Sequence, residues 1–138
     1  MEALYTGKVK ASGGREGHVK SEDGLIDFDV RMPKALGGSG EKATNPEQLF
    51  AAGFAACFDG ALNLTLQKAK VKANTEVTAN VSIGKDLQND GLMLGVELEI
   101  SIPELSREEA EKYVQQAHQT CPYSKATRGN IDVTLHVV

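Results

Sequence analysis

Residues Asn45–Leu64 read NPEQLFAAGFAACFDGALNL, and the way this stretch is buried decides the fold. Asn45 is a good N-cap, Pro46 suits the first helical position, and Glu47 places negative charge at the positive end of the helix dipole. Gln48 stands three residues past the cap, at the capping-box spacing. The pattern predicts a helix running to about Lys70, where Lys68, Lys70 and Lys72 favour the negative pole, with Gly53 and Gly60 as places for a bend or break. From Leu49 to Leu62 the sole charge is Asp59. A surface helix carries one apolar stripe; one that is apolar all round is expected to be buried on every side.

One small sheet covers one face of such a helix and leaves the other bare. The simplest remedy is a second copy of the chain, with two helices packed together inside two sheets. Ala51, Ala52, Gly53, Ala55 and Ala56 allow close backbone approach. Burying Phe50 and Phe54 contributes about 3–6 kcal/mol, a large share of the stability of a small domain. The expectation is an obligate homodimer.

With 138 residues, 41% apolar and 25% charged, the chain reads as a single soluble globular domain over residues 1–138. Its net charge is −4, and no basic block exceeds KAKVK at 68–72, so a nucleic-acid partner is not expected. The apolar run at 49–64 is short for a bilayer and holds Asp59, which argues against a membrane span. The N-terminal MEALYTGKVKASGG lacks a charged-then-apolar leader layout and already alternates like a strand. Two cysteines without such a leader point to a reducing compartment, here the cytoplasm.

Strands are expected over residues 3–11, 16–20 and 27–32, followed by the glycine-rich loop LGGSGEKAT at 36–44, which has no phosphate-cradle pattern. After the helix, 75–84 and 92–103 alternate as two strands. Ser106-Arg107-Glu108-Glu109 is a capping box opening an amphipathic helix to about Gln119. Cys121-Pro122 ends it, the turn YSKATRGN follows, and IDVTLHVV is the last strand. This order gives an α+β domain with a mainly antiparallel sheet.

Cys57 and Cys121 lie 64 residues apart and form no C-x-x-C motif. Packed thiols, a zinc site with His118 and Cys121 at i, i+3 plus Cys57, and a catalytic thiol all stay open on spacing alone. A buried thiol in apolar surroundings is inert, so a catalytic one needs a cation or hydrogen-bond donors close by. Arg15, in the turn GGREG, can be aimed inward by its flanking glycines, and Glu47 can fix a guanidinium by a bidentate pair. Glu47 and Cys57 are ten residues apart, about 15 Å along a straight helix. Either the helix breaks near Gly53, or Glu47 and Arg15 reach the thiol from a partner chain.

GGREG at 13–17, TNPEQLFAAGFAACF at 44–58 and CPYSKATRGNI at 121–131 closely resemble the signature stretches of the organic hydroperoxide resistance proteins, the Ohr branch of the Ohr/OsmC family of bacterial thiol peroxidases. The resemblance covers essentially the whole chain; at Lys125 the family pattern more often has asparagine. The stretch around Cys121 favours Ohr over an OsmC-like enzyme. The resemblance implies an intertwined homodimer in which sheets enclose the central helices. It implies Cys57 as the peroxidatic thiol, Cys121 as the resolving one, and Arg15 and Glu47 as the network that activates Cys57. It further implies an organic hydroperoxide substrate, a lipoyl dithiol as reductant, and no bound metal, haem or flavin. Phe50, Phe54, Phe58 and Leu49, with Tyr123 beside the resolving thiol, are candidates for a greasy entry. The competing expectation is a non-enzymatic dimeric module that binds an apolar ligand, its cysteines incidental.

Overall fold

The computed structural model describes all of residues Met1–Val138, which divide into two compact units, Met1–Leu49 and Phe50–Val138. In the first unit, β1 (Val9–Ser12), β2 (His18–Ser21) and β3 (Asp27–Asp29) form an antiparallel sheet in chain order. The first strand is shorter than expected. Its ladder closes from Val9↔Ser21 to Ser12↔His18, and no strand forms over Met1–Lys8, where Leu4 and Tyr5 stand exposed. The β1–β2 connection is a 3-10 turn at Gly14–Glu16, entered through Gly13 and Gly14 at φ 75° and 58°. Gly17 closes the turn: a Cβ there would lie 1.8 Å from the Ser12 carbonyl oxygen, so no side chain fits.

Helix α1 (Pro46–Lys68) starts in the first unit and runs without a break through Gly53 and Gly60. Asn45 caps it, its Oδ1 accepting from Gln48 N–H at 2.9 Å. Gln48 does not complete the box; its Oε1 accepts from the Thr44 hydroxyl instead. With 23 residues and a mean hydropathy of 1.5 over its most apolar window, α1 is long and apolar enough to cross a membrane. The apolar run expected at 49–64 is shorter than the helix, which takes in polar residues at both ends. Its one charge inside the apolar stretch is tied down: Asp59 Oδ1 accepts from the Thr75 hydroxyl at 2.5 Å and from Asn63 Nδ2 at 3.1 Å.

The second unit continues with β4 (Glu76–Lys85), β5 (Leu92–Ser101), α2 (Arg107–Thr120), a short α3 (Pro122–Thr127) and β6 (Val133–Val137). Strands β4 and β5 pair antiparallel over ten residues each. β6 joins β5 in parallel, because the intervening helices carry the chain back to the same end of the sheet. Ser106 and Glu109 form the expected reciprocal capping box of α2. α3 was not expected; Pro122 at its first turn initiates it, in the segment read from sequence as a turn.

Burial follows the two periodicities. Phe54, Phe58, Leu62 and Leu66 form one stripe of α1, and Val96, Leu98, Ile100 and Ile102 alternate along and just past β5. Ala110, Val114, Ala117 and Cys121 complete the core from α2 and its end. Within one chain α1 is therefore buried along one face, not on all sides: Ala52, Ala56, Gly60 and Leu64 are exposed.

Phe58→Ala empties the middle of the α1 stripe and is expected to cost about 3–5 kcal/mol, read as a lower urea midpoint at unchanged slope. A loss under about 1 kcal/mol would mean that this stripe is not the core. In the first sheet His18 Nδ1 meets Asp29 Oδ1 at 2.8 Å and Nε2 meets Asp27 Oδ1 at 2.5 Å, and the carboxylates, Asp29 foremost, raise its pKa. The fold thus favours charged His18. Its contribution is full below about 6.5 and fades as pH rises through the raised folded value. NMR titration is expected to place His18 above about 6.5, with Asp27→Asn/Asp29→Asn moving it back down; no movement in the double variant would refute the pairing.

Candidate active site

Two apolar stripes set the position of the sulfurs. Cys57 precedes Phe58 on α1, and Cys121 ends the buried stripe of α2. There the Cys121 backbone N–H donates to the Ala117 carbonyl, and its side chain caps α3. The two sulfurs, both free thiols, lie 3.7 Å apart, Cys121 fully buried and Cys57 half-buried. The sequence placed them 64 residues apart; the fold of the second unit brings them into contact.

The surroundings of each sulfur differ. Burial pushes the Cys57 thiol above its ordinary range; the Tyr123 backbone N–H pulls it down, and Cys121 adds to the upward push. Cys121 Sγ accepts from Ser124 N–H at 3.5 Å. His118, three residues before Cys121, turns its Nδ1 to the Ser124 hydroxyl at 2.9 Å. Its ring faces Phe58 at 6.5 Å between centroids.

Tyr123, whose backbone N–H addresses Cys57, turns its side chain onto α1. Its ring packs tilted on Phe54 and Phe50, at 5.8 and 6.3 Å between centroids. Below it, a Cβ on Gly53 would come within 3.0 Å of the Tyr123 hydroxyl oxygen and 3.2 Å of the ring. Glycine at this helical position gives the Tyr123 ring a close seat and does not break the helix. Phe54 and Phe58 are fully buried core residues, and the rim is left to Phe50 and Tyr123. Both also line a groove of about 1070 Å³, together with Leu87 and Leu92 at the β4–β5 turn and Ile131 after α3. Neither sulfur lines this groove.

In the first unit the structure brings Arg15 and Glu47 together as a fork-to-fork pair: Nη1 donates to Oε2 at 2.9 Å and Nη2 to Oε1 at 2.7 Å. The guanidinium holds the Glu47 carboxyl below its usual range, and Glu47 raises Arg15 in turn. The 3-10 turn carrying Arg15 is fastened from behind. Val30 N–H and Arg31 Nη1 both donate to the Gly17 carbonyl, at 2.8 and 3.0 Å, and Met32 N–H donates to Glu16 Oε1 at 3.1 Å. Arg31 in turn donates through Nε to Glu41 Oε2 at 3.0 Å.

Reasoning from sequence named all four of Arg15, Glu47, Cys57 and Cys121. It missed the Arg31 clasp, the Tyr123 N–H and the Ser124 partner of His118. The last had a local signal, since Ser124 stands six residues after His118 across a Cys-Pro helix end. The other two arise from backbone approaches that no residue type announces.

A model of the OsmC-like protein family matches residues 38–136. Organic hydroperoxide resistance protein OhrA of Bacillus subtilis is 55% identical over 141 aligned positions, covering 99% of this chain and 97% of that protein. The crystal structure of OhrB of the same organism superposes with a TM-score of 0.93 at 49% identity, covering 99% of this chain and 100% of that one. An organic hydroperoxide resistance protein from Elizabethkingia anophelis, solved with thiocyanate bound, gives 0.93 at 54% identity, over 99% and 98%. The chain belongs to the OsmC-like family, in its organic hydroperoxide resistance branch.

Proposed function

We propose that this chain is a thiol-dependent peroxidase that reduces organic hydroperoxides to alcohols. The observation that carries the reading is the 3.7 Å approach of two free sulfurs, one buried and one half-open. The names of its relatives, which tie them to organic hydroperoxides, support the substrate class.

The Cys57 thiolate attacks the distal oxygen of the hydroperoxide. A sulfur–oxygen bond forms, the oxygen–oxygen bond breaks, and the alkoxide leaves as alcohol once it takes a proton; Cys57 is left as a sulfenic acid. Cys121 then displaces the hydroxyl, which departs as water with the Cys121 proton, and a disulfide joins the two. An external dithiol, of lipoyl type by family likeness, restores both thiols by two exchanges. The cycle runs on sulfur alone and calls for no resident cofactor.

Burial disfavours the Cys57 thiolate, so a cation has to offset it. Arg15, held by Glu47, is that cation in this proposal, and it also stabilises the developing alkoxide. Glu47 stands ten residues before Cys57 on a helix that does not break, about 15 Å of rise. The arrangement adopted here is therefore the one in which a second copy supplies Arg15 and Glu47. That copy also covers the apolar face of α1 left open within one chain, giving the homodimer a physical reason. The groove beside Phe50 and Tyr123 suits an alkyl or aryl tail, each buried methylene adding about 0.8 kcal/mol. Reduced thiols fit a cytoplasmic setting.

Titration of free thiols before and after one equivalent of cumene hydroperoxide tests the cycle. Both thiols are expected to disappear in the native chain and none in Cys57→Ser, while Cys121→Ser reacts once and then overoxidises. No loss in the native chain would favour an apolar-ligand binder with incidental cysteines. Arg15→Ala is expected to slow the first oxidation by on the order of 10²-fold; unchanged single-turnover kinetics would remove Arg15 from the mechanism.

A further inference from the structure

The thiol pair sits at the joint of α2 and α3, and that joint is held by groups to which the cycle gives no task. Ser124 is fully buried. Its hydroxyl meets His118 Nδ1 at 2.9 Å, its N–H donates to Cys121 Sγ at 3.5 Å, and its carbonyl accepts from Arg128 N–H at 3.0 Å. Arg128 returns to α2, its Nη2 donating to the His118 carbonyl at 2.6 Å. Burial, with Arg128 adding to it, lowers the pKa of His118. The imidazole is thus uncharged at neutral pH and offers one ring nitrogen as acceptor. With Nδ1 as that acceptor, the Ser124 hydroxyl is the donor.

We propose that His118 and Ser124 form a positioning pair for the second redox step: the imidazole anchors the Ser124 hydroxyl, fixes the Cys121–Ser124 turn, and holds the Cys121 sulfur in line with Cys57. This rests on the peroxidase reading above and deepens it. Neither side chain contacts a sulfur, so their action runs through the turn. In the step concerned a sulfur–sulfur bond forms, the Cys57 sulfur–oxygen bond breaks, and water leaves with the Cys121 proton. The sulfurs, at 3.7 Å, must close to about 2.05 Å. An error of about 1 Å in such an approach can cost on the order of 10²-fold in rate.

A serine at position 124 could also serve as simple turn chemistry, its N–H on the Cys121 sulfur being enough. What argues for more is that its hydroxyl is spent on a histidine of the preceding helix rather than on its own backbone. The side-chain bond ties α3 to α2 across the cysteine itself, and Arg128 ties the same two helices a second time. The sulfur is thereby suspended between two clamped helix ends.

The test is a two-phase single turnover of the full chain with one equivalent of cumene hydroperoxide. The first phase is loss of the Cys57 thiol, and the second is disulfide formation in acid-quenched samples. His118→Ala and Ser124→Ala are each expected to slow the second phase about 10- to 100-fold. The double variant is expected to be no slower than either single one, as for two residues acting through one contact. His118→Asn, whose amide oxygen falls near the place of Nδ1, is expected to restore most of the rate, a rescue that a general packing role does not give. A second phase at native rate in Ser124→Ala overturns the proposal, as does His118→Asn that is as slow as His118→Ala. If His118→Ala fails to fold, Ser124→Ala and His118→Asn still decide. Absence of the first phase in the native chain would sink the peroxidase reading itself, whereas a normal first phase with an unaffected second phase sinks this inference alone.

Discussion

Burial of Phe54 and Phe58 in one core cluster with residues of β5 and α2 governs what else this chain can do. Neighbouring residues on a helix lie a little over a quarter of a turn apart. Seating Phe58 in the core therefore leaves Cys57 at the edge of the buried stripe, half-open. On α2 the stripe Ala110, Val114, Ala117, Cys121 ends in the second sulfur, at the point where the chain turns into α3. The contact between the thiols is the by-product of two apolar stripes meeting in register. A cavity in either stripe would be felt at the sulfurs.

The Arg15–Glu47 pair rests on different physics. Arg15 is presented by a turn that exists because Gly13, Gly14 and Gly17 admit backbone positions closed to other residues. Val30, Arg31 and Met32 lock that turn through hydrogen bonds to Gly17 and Glu16. Apolar packing positions the sulfurs and a hydrogen-bonded loop positions the charge. The two arrangements rest on different forces and can therefore be loosened separately.

Much of this was legible in the residues. Asn45, Pro46 and the Ser106–Glu109 box announced two helices, and alternation announced β4 and β5. The extent of α1 was read to about Lys70 and ends at Lys68, but Gly53 suggested a bend or break where the helix makes a seat for Tyr123. The first strand was overread because alternation in residues 3–8 says nothing about whether a partner strand extends as far. The direction of β6 followed from a crossover through α2 and α3, and the second of those looked like a turn. Residue types and the family resemblance named Arg15, Glu47, Cys57 and Cys121, of which the first two pair and the last two touch. The Tyr123 N–H, the Ser124 N–H and the Gly17 carbonyl are backbone groups, which every residue possesses and no sequence singles out.

Gly53 has a consequence for anyone engineering a hardier form of this chain. On a propensity scale, replacing a helical glycine with alanine promises up to about 1 kcal/mol, and α1 offers two candidates that look alike in one dimension. At Gly53 the added methyl would crowd the Tyr123 ring, which would have to give by a few tenths of an ångström, in the residue whose backbone N–H addresses the Cys57 sulfur. A stabilising campaign guided by helix statistics alone would thus risk trading a tougher scaffold for a displaced thiol environment.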